Sequence, residues 1–140
     1  RIAAEGLEVE LEKKWAWGLE SRLSYAYQDA EWREGGHLTN SPKHLGLINL
    51  SAPLAKKKLF AGFDLQYMSR RRTLAGNHAP GHAVPNFTLF TQNLLKGWEI
   101  SASLYNLLGR RYGDPAGTGL VQDIIEQDGC SFRLKASYHF

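Results

Sequence analysis

A chain of 140 residues, 22% of them charged, with a formal net charge of +3, falls within the size range of one domain and carries too small and scattered a charge to point to nucleic acid. No apolar run approaches the ~18 residues that a membrane-spanning helix needs. The longest candidate, Leu45 to Leu50, is interrupted by Gly46 and Asn49, and the single cysteine, Cys130, excludes an internal disulfide framework. The chain opens on Arg1 without Met or signal peptide and reads as a truncated piece.

In chain order, period-two alternation marks about seven strand-like segments. The first, Glu5 to Lys13, opposes Leu7, Val9 and Leu11 to Glu8, Glu10 and Glu12. A short turn leads to the second, Leu19 to Gln28, with Leu19, Leu23, Tyr25 and Tyr27 on one face. A long polar loop, Asp29 to Ser41, contains Gly35-Gly36. The third strand, His44 to Ala52, has no clear phase, because Leu45 and Leu47 oppose Ile48 and Leu50. After a short basic turn, Pro53 to Lys58, the fourth runs from Leu59 to Tyr67 with Leu59, Ala61, Phe63, Leu65 and Tyr67 alternating cleanly.

A second long loop, rich in Arg, His, Gly and Pro, extends to Pro85. Strand five covers Asn86 to Gln92, and a tight turn at Leu95-Lys96-Gly97 leads to strand six, Trp98 to Leu107. The longest loop, Leu108 to Gly129, precedes a final strand in which Phe132, Leu134, Ala136, Tyr138 and Phe140 oppose Arg133, Lys135, Ser137 and His139. Short and long connections alternate strictly, and the last strand ends on aromatic residues. Transmembrane barrels combine short turns on one side, long loops on the other, and aromatic girdles where strands meet the interface. The expected fold is therefore all-β: an antiparallel up-and-down meander of about seven strands, part of a transmembrane β-barrel. A soluble meander is the competing reading.

Asn40-Ser41-Pro42-Lys43-His44 enters a strand and Gln66-Tyr67-Met68-Ser69-Arg70-Arg71 leaves one. Leu104-Tyr105-Asn106-Leu107-Leu108, Tyr112-Gly113-Asp114-Pro115, Ile125-Glu126-Gln127-Asp128-Gly129 and the aromatic terminus follow. In this order, across nearly the whole chain, they resemble the C-terminal end of the barrel of TonB-dependent outer-membrane receptors. Cys130 departs from the pattern, standing where similar receptors usually carry Arg. The resemblance implies that residues 1–140 are the C-terminal portion of such a barrel, without its plug domain, in the outer membrane of a Gram-negative bacterium. It implies uptake of a chelated metal of siderophore type, or a cobalamin-like nutrient, driven through the inner-membrane TonB complex by way of the missing plug. The alternatives are a soluble β-barrel that binds a small ligand and a structural outer-membrane barrel without import.

Such receptors have roughly 22 strands, and the smallest closed transmembrane barrels about eight. A seven-stranded sheet would leave two unpaired edges, so the isolated fragment is expected to associate with itself.

Several residues are candidates for sites. Arg70, Arg71 and Arg72, at the outer end of the fourth strand, suit an anionic substrate or lipopolysaccharide phosphate, because guanidinium matches phosphate geometry; the plainer reading is a rim of charge at headgroup level. Trp32, in the first long loop, is a candidate contact for substrate or a neighbouring loop. His78 and His82 are a candidate metal pair, although Pro80 and Gly81 exclude a helix between them and two ligands seldom suffice. Asp114, Asp123, Glu126 and Asp128 share the last loop without matching a calcium-loop spacing. Asn106 is expected to tie the end of strand six to the loop that follows. Trp15, Trp17 and Trp98 are expected to anchor the short-turn interface. Tyr138 and Phe140, by the resemblance, form the terminus read by the barrel-assembly machinery. No nucleophile motif, phosphate loop or zinc signature is present, so neither an enzyme nor a cofactor is expected.

Overall fold

The computed structural model describes residues 1–32, 35–55, 58–92 and 96–140. Among these residues, eleven strands occur in chain order: β1 (Ile2–Lys14), β2 (Glu20–Trp32), β3 (His44–Ala55), β4 (Leu59–Met68), β5 (Arg71–Arg72), β6 (His78–Ala79), β7 (His82–Thr91), β8 (Trp98–Tyr105), β9 (Gly113–Pro115), β10 (Ile124–Glu126) and β11 (Ser131–Tyr138). Seven of them form one antiparallel sheet in the order β1-β2-β3-β4-β7-β8-β11, so the expected meander is borne out. The remaining four make two hairpins, β5–β6 and β9–β10, set into the second and third long loops. The basic turn at Lys56-Lys57 and the start of the turn at Leu95 lie outside the described residues.

The register settles the facing of every strand, because residues directly opposite in an antiparallel ladder share a face. Leu11 pairs with Leu23, Leu23 with Ile48, Ile48 with Leu65 and Leu65 with Pro85. One row nearer the short turns, Leu50 pairs with Phe63, Phe63 with Phe87, Phe87 with Leu104 and Leu104 with Phe132. A single apolar face therefore runs across all seven strands, and Ile48 and Leu50 supply the β3 contribution to it. Leu45 and Leu47 turn to the other face, where they meet Ala26, Met68, Ser24 and Gln66. This is why β3 has no phase of its own in the sequence.

The opposite face is polar through its middle. Glu12, Arg22, Asn49, Asp64 and Asn86 pair in succession, one residue per strand. Arg22 bridges Glu10 at 3.3 Å and also binds Glu12. The Asn86 amide donates to Asp64 at 2.7 Å, and Thr88 and Ser103 hydroxyls meet at 2.8 Å.

Among the described residues, none packs over the apolar face to bury it. The buried hydrophobic residues among those described are Ala79 and Ala116, both in the loops. Leu7 is 61% exposed, Leu11 64%, Phe132 65% and Leu134 66%. A sandwich or closed soluble barrel would bury these side chains in a core, and the sheet here is neither doubled nor closed. The soluble ligand-binding reading thus meets an open sheet whose apolar face is left uncovered among the described residues.

Several boundaries differ from the sequence reading: β1 begins at Ile2 and not Glu5, β3 continues through Pro53 to Ala55, and β2 and β7 are extended as well. β2 continues through Trp32 because all thirteen of its residues pair with β1, carrying Asp29, Glu31 and Trp32 out of the expected loop. β7 begins at His82, ahead of Pro85. The Pro85 carbonyl accepts from the Leu107 amide beyond the end of the β7–β8 ladder, so the N–H that proline lacks would also point where no ladder partner waits. Strand lengths of 8 to 13 residues in the large sheet bracket the ~9–11 that cross a bilayer.

Candidate functional site

The three long loops emerge from one end of the sheet, and two of them fold into a joint cap. Thr73 donates its amide to Asn77 at 2.9 Å and Gly76 donates to Thr73 at 3.1 Å, closing the β5–β6 hairpin. Gly76 sits at φ 89, a left-handed conformation that favours glycine in such a turn. In the third loop, Ala116 donates to Asp123 at 3.0 Å and Gln127 to Tyr112 at 2.9 Å, flanking β9–β10.

Arg71 joins all three loops. It is 5% exposed, and its guanidinium donates to Asn40 Oδ1 of the first loop at 3.2 Å, to the Gly113 carbonyl of the third at 3.3 Å, and to Asp114. Asp123 makes the return connection, accepting from Thr73 Oγ1 at 2.9 Å and Asn77 Nδ2 at 3.0 Å. The Arg72 carbonyl accepts from the Asn40 amide at 2.8 Å. Thr73 and Ala79, both 0% exposed, and Ala116 form the small core beneath these contacts.

Asn106 fastens the cap to the sheet, as expected. In a left-handed conformation of φ 50, it donates Nδ2 to the Arg110 carbonyl at 2.8 Å and to the Asp128 carbonyl at 3.1 Å. Its own amide donates to Asn86 Oδ1 at 2.8 Å, so the knot reaches the polar face of the sheet.

The arginine triplet separates into different roles. Arg71 is inside the cap and serves neither as a charged rim nor as a free arm for an anion. Arg70 and Arg72 are exposed. Trp32 is 48% exposed at the outer end of β2, opposite Ile2, and not within a loop. His78 is exposed opposite Arg72, whereas His82 opens β7 with its ring 4.2 Å from that of Tyr112. Among the described residues, neither histidine belongs to a three-ligand group. The acids of the third loop do not converge either: Asp114 binds Arg71, Asp123 binds Thr73 and Asn77, and Arg111 pairs with Glu126 at 3.2 Å. The sequence offered no local signal for Asn40, Thr73, Asp114 or Asp123 as partners.

Beside the cap lies an open cleft of about 490 Å³, lined by His82, Arg110, Arg111, Tyr112, Ile124 and Glu126 among others. Cationic and aromatic groups with one carboxylate equip it to receive a planar, anionic molecule. At the far end of the sheet, Trp98, Tyr138 and Phe140 form an aromatic run, with centroids 5.2 and 6.0 Å apart. Trp17 is 59% exposed on the same short-turn side.

Hydrogen bonds from the Thr73 hydroxyl and the Asn77 amide hold the Asp123 carboxyl below its ordinary value of 3.8, against an opposing effect of burial. A carboxyl depressed in the folded state contributes stability above its unfolded value, and that contribution is lost as pH falls through the folded one. Hydrogen-exchange protection of the Thr73 and Ala116 amides, corrected for intrinsic rates, should therefore be constant above about pH 5 and decline below about pH 4. An unchanged decline in Asp123→Asn would refute the assignment to this carboxyl.

No family model and no curated protein matches the chain in sequence. Solved structures match it in fold. The ferric-catecholate import receptor Fiu from E. coli K12, in its closed form, superposes with a TM-score of 0.78 over 98% of this chain and 21% of that one, at 18% identity. The siderophore receptor PiuA from Acinetobacter baumannii gives 0.79 over 98% and 22%, at 18% identity. The ferripyoverdine receptor of the outer membrane of Pseudomonas aeruginosa gives 0.78 over 98% and 19%, at 13% identity. The chain spans about a fifth of the length of these receptors. The open antiparallel meander superposes on these receptors over nearly its whole length, which bears out in fold the resemblance read from the residues: the chain has the fold of a barrel segment of the TonB-dependent outer-membrane receptors.

Proposed function

We propose that this segment forms the C-terminal wall and part of the outer cap of an outer-membrane receptor that imports a ferric chelate of siderophore type. The observation that carries the reading is the coreless sheet, whose continuous apolar face has no protein partner among the described residues and whose polar face carries hydrogen bonds between strands. Lipid on one side and an aqueous lumen on the other satisfy both faces, and further strands of the same receptor would pair the free edges of β1 and β11. The siderophore receptors among the structural neighbours, together with the cationic, aromatic cleft, favour an iron chelate over cobalamin. Arg70, Arg72 and Trp32 are the candidate contacts for substrate or lipopolysaccharide. Energy would come from the inner-membrane TonB complex through a plug. Tyr138 and Phe140 would present the aromatic terminus to the barrel-assembly machinery of a Gram-negative cell.

The test is uptake of radioactive iron by cells whose only ferric-chelate receptor is the full-length protein. Uptake of at least one catecholate, hydroxamate or carboxylate chelate is expected, and its loss in cells lacking TonB. A receptor correctly inserted in the membrane that transports none of the three would overturn the substrate class.

A further inference from the structure

Asp29 and Glu31 are two residues apart on β2, so their side chains leave the same side of the strand. It is the outward side, since Tyr25 and Tyr27 precede them in the same alternation. Beyond Trp32 the chain turns back. Gly35 donates its amide to the Trp32 carbonyl at 2.9 Å, Trp32 donates to Gly36 at 2.9 Å, and Leu38 donates to Ala30 at 3.1 Å. This return sets His37 directly opposite Glu31, so the backbone itself brings the imidazole to the two carboxylates.

His37 Nδ1 lies 3.1 Å from Glu31 Oε1 and 3.7 Å from Asp29 Oδ1. All three ligand atoms lie within 4.8 Å of one another, and no other such group occurs among the described residues. Donors bound at about 2.0–2.2 Å around a tetrahedral zinc ion stand about 3.3–3.6 Å apart, and the two His37 separations of 3.1 and 3.7 Å lie on either side of that range.

Asp29 supplies an independent indication. Its Oδ2 accepts from the Lys43 ammonium at 2.6 Å, which fixes the carboxylate, while Oδ1 is shut off from solvent and has no hydrogen-bond partner. A shielded carboxylate oxygen without a partner is costly, and a cation between it and the imidazole removes the cost.

The geometry points to a binding site for a divalent transition metal of the zinc type, held by Asp29, Glu31 and His37 with one coordination position open. One nitrogen and two oxygens suit such an ion better than magnesium or calcium, which take all-oxygen sets. The site lies on the outside of the sheet, beyond the tyrosines, and is separate from the Arg71 cap and its cleft. It is a resident site and does not depend on what the receptor transports.

The test is calorimetric titration of the chelator-stripped full-length receptor in detergent with zinc chloride, comparing the native protein with His37→Ala, Glu31→Gln and His78→Ala. One zinc equivalent per chain should be lost, or weakened by at least about tenfold, in His37→Ala and Glu31→Gln and kept in His78→Ala. Magnesium chloride should not compete for it. Equal zinc stoichiometry and affinity in all four proteins would overturn the proposal, reducing His37 to an ion-pair partner of Glu31. Magnesium competing as strongly as zinc would overturn it too.

Discussion

Leu134→Arg should cost the full-length protein about 2–4 kcal/mol of stability in lipid vesicles, the penalty for a cation near the bilayer midplane on the lipid face of a barrel. Leu134 sits at the middle of β11, opposite Ala102, and is already 66% exposed in the free sheet. Exposure is what makes the experiment decisive. Were that face wetted by water, an arginine at so open a position would shift stability by no more than about 0.5 kcal/mol. Lys135, next along the strand, faces the opposite side opposite Ser101, and Lys135→Gln should fall within that small range. Urea unfolding of both variants in vesicles of one composition gives the comparison. Equal, small effects would show that lipid does not cover the apolar face, and the barrel reading would fall with it.

The seven long strands were legible because their side chains alternate although, among the described residues, no protein core lies behind the apolar face. A lipid-facing side chain is under the same pressure to be apolar as a core residue, so Phe63, Leu65, Ile100, Leu104, Leu134 and Tyr138 announce one face at period two, and the register places all six there. β3 was legible as a strand but not in its facing, since Leu45 and Leu47 lie on the interior side beside Ala26 and Met68. Alternation cannot assign a strand that is apolar on both faces. The cap was illegible for a different reason. β5 and β6 have two residues each, and β9 and β10 three, too few to show any period. They are held by contacts more than forty residues apart in sequence, such as Arg71 with Asp114 and Thr73 with Asp123. Three successive arginines look alike in the sequence, and only the fold singles out the middle one. The His37 cluster did leave a trace: an acidic pair at i and i+2, then Gly35-Gly36 and a histidine, is a turn that folds an imidazole back on two carboxylates.

Arg71→Met is expected to open the cap while leaving the barrel intact. Methionine keeps an unbranched apolar stem, so the substitution removes the guanidinium more than the packing. What is lost is a set of charged hydrogen bonds to Asn40, Gly113 and Asp114, in a place where the arginine is 5% exposed. Hydrogen bonds to charged groups contribute about 1.5–3 kcal/mol, and Asp114, whose side chain is 40% exposed, regains part of its solvation when the partner goes. A net loss of about 2 kcal/mol, some thirtyfold in the opening equilibrium, is therefore expected. Amide exchange at Thr73 and Ala116 should speed up by that factor, while amides in β4 and β8 keep their native rates. Asp114→Asn should have a smaller effect, and the double variant should fall short of the sum, because both substitutions break the same contact. Arg70→Met and Arg72→Met, at exposed positions, should leave exchange in the cap unaltered. Native exchange rates in Arg71→Met would show that the cap is held by its hairpins alone, and would return Arg71 to the charged rim with its two neighbours.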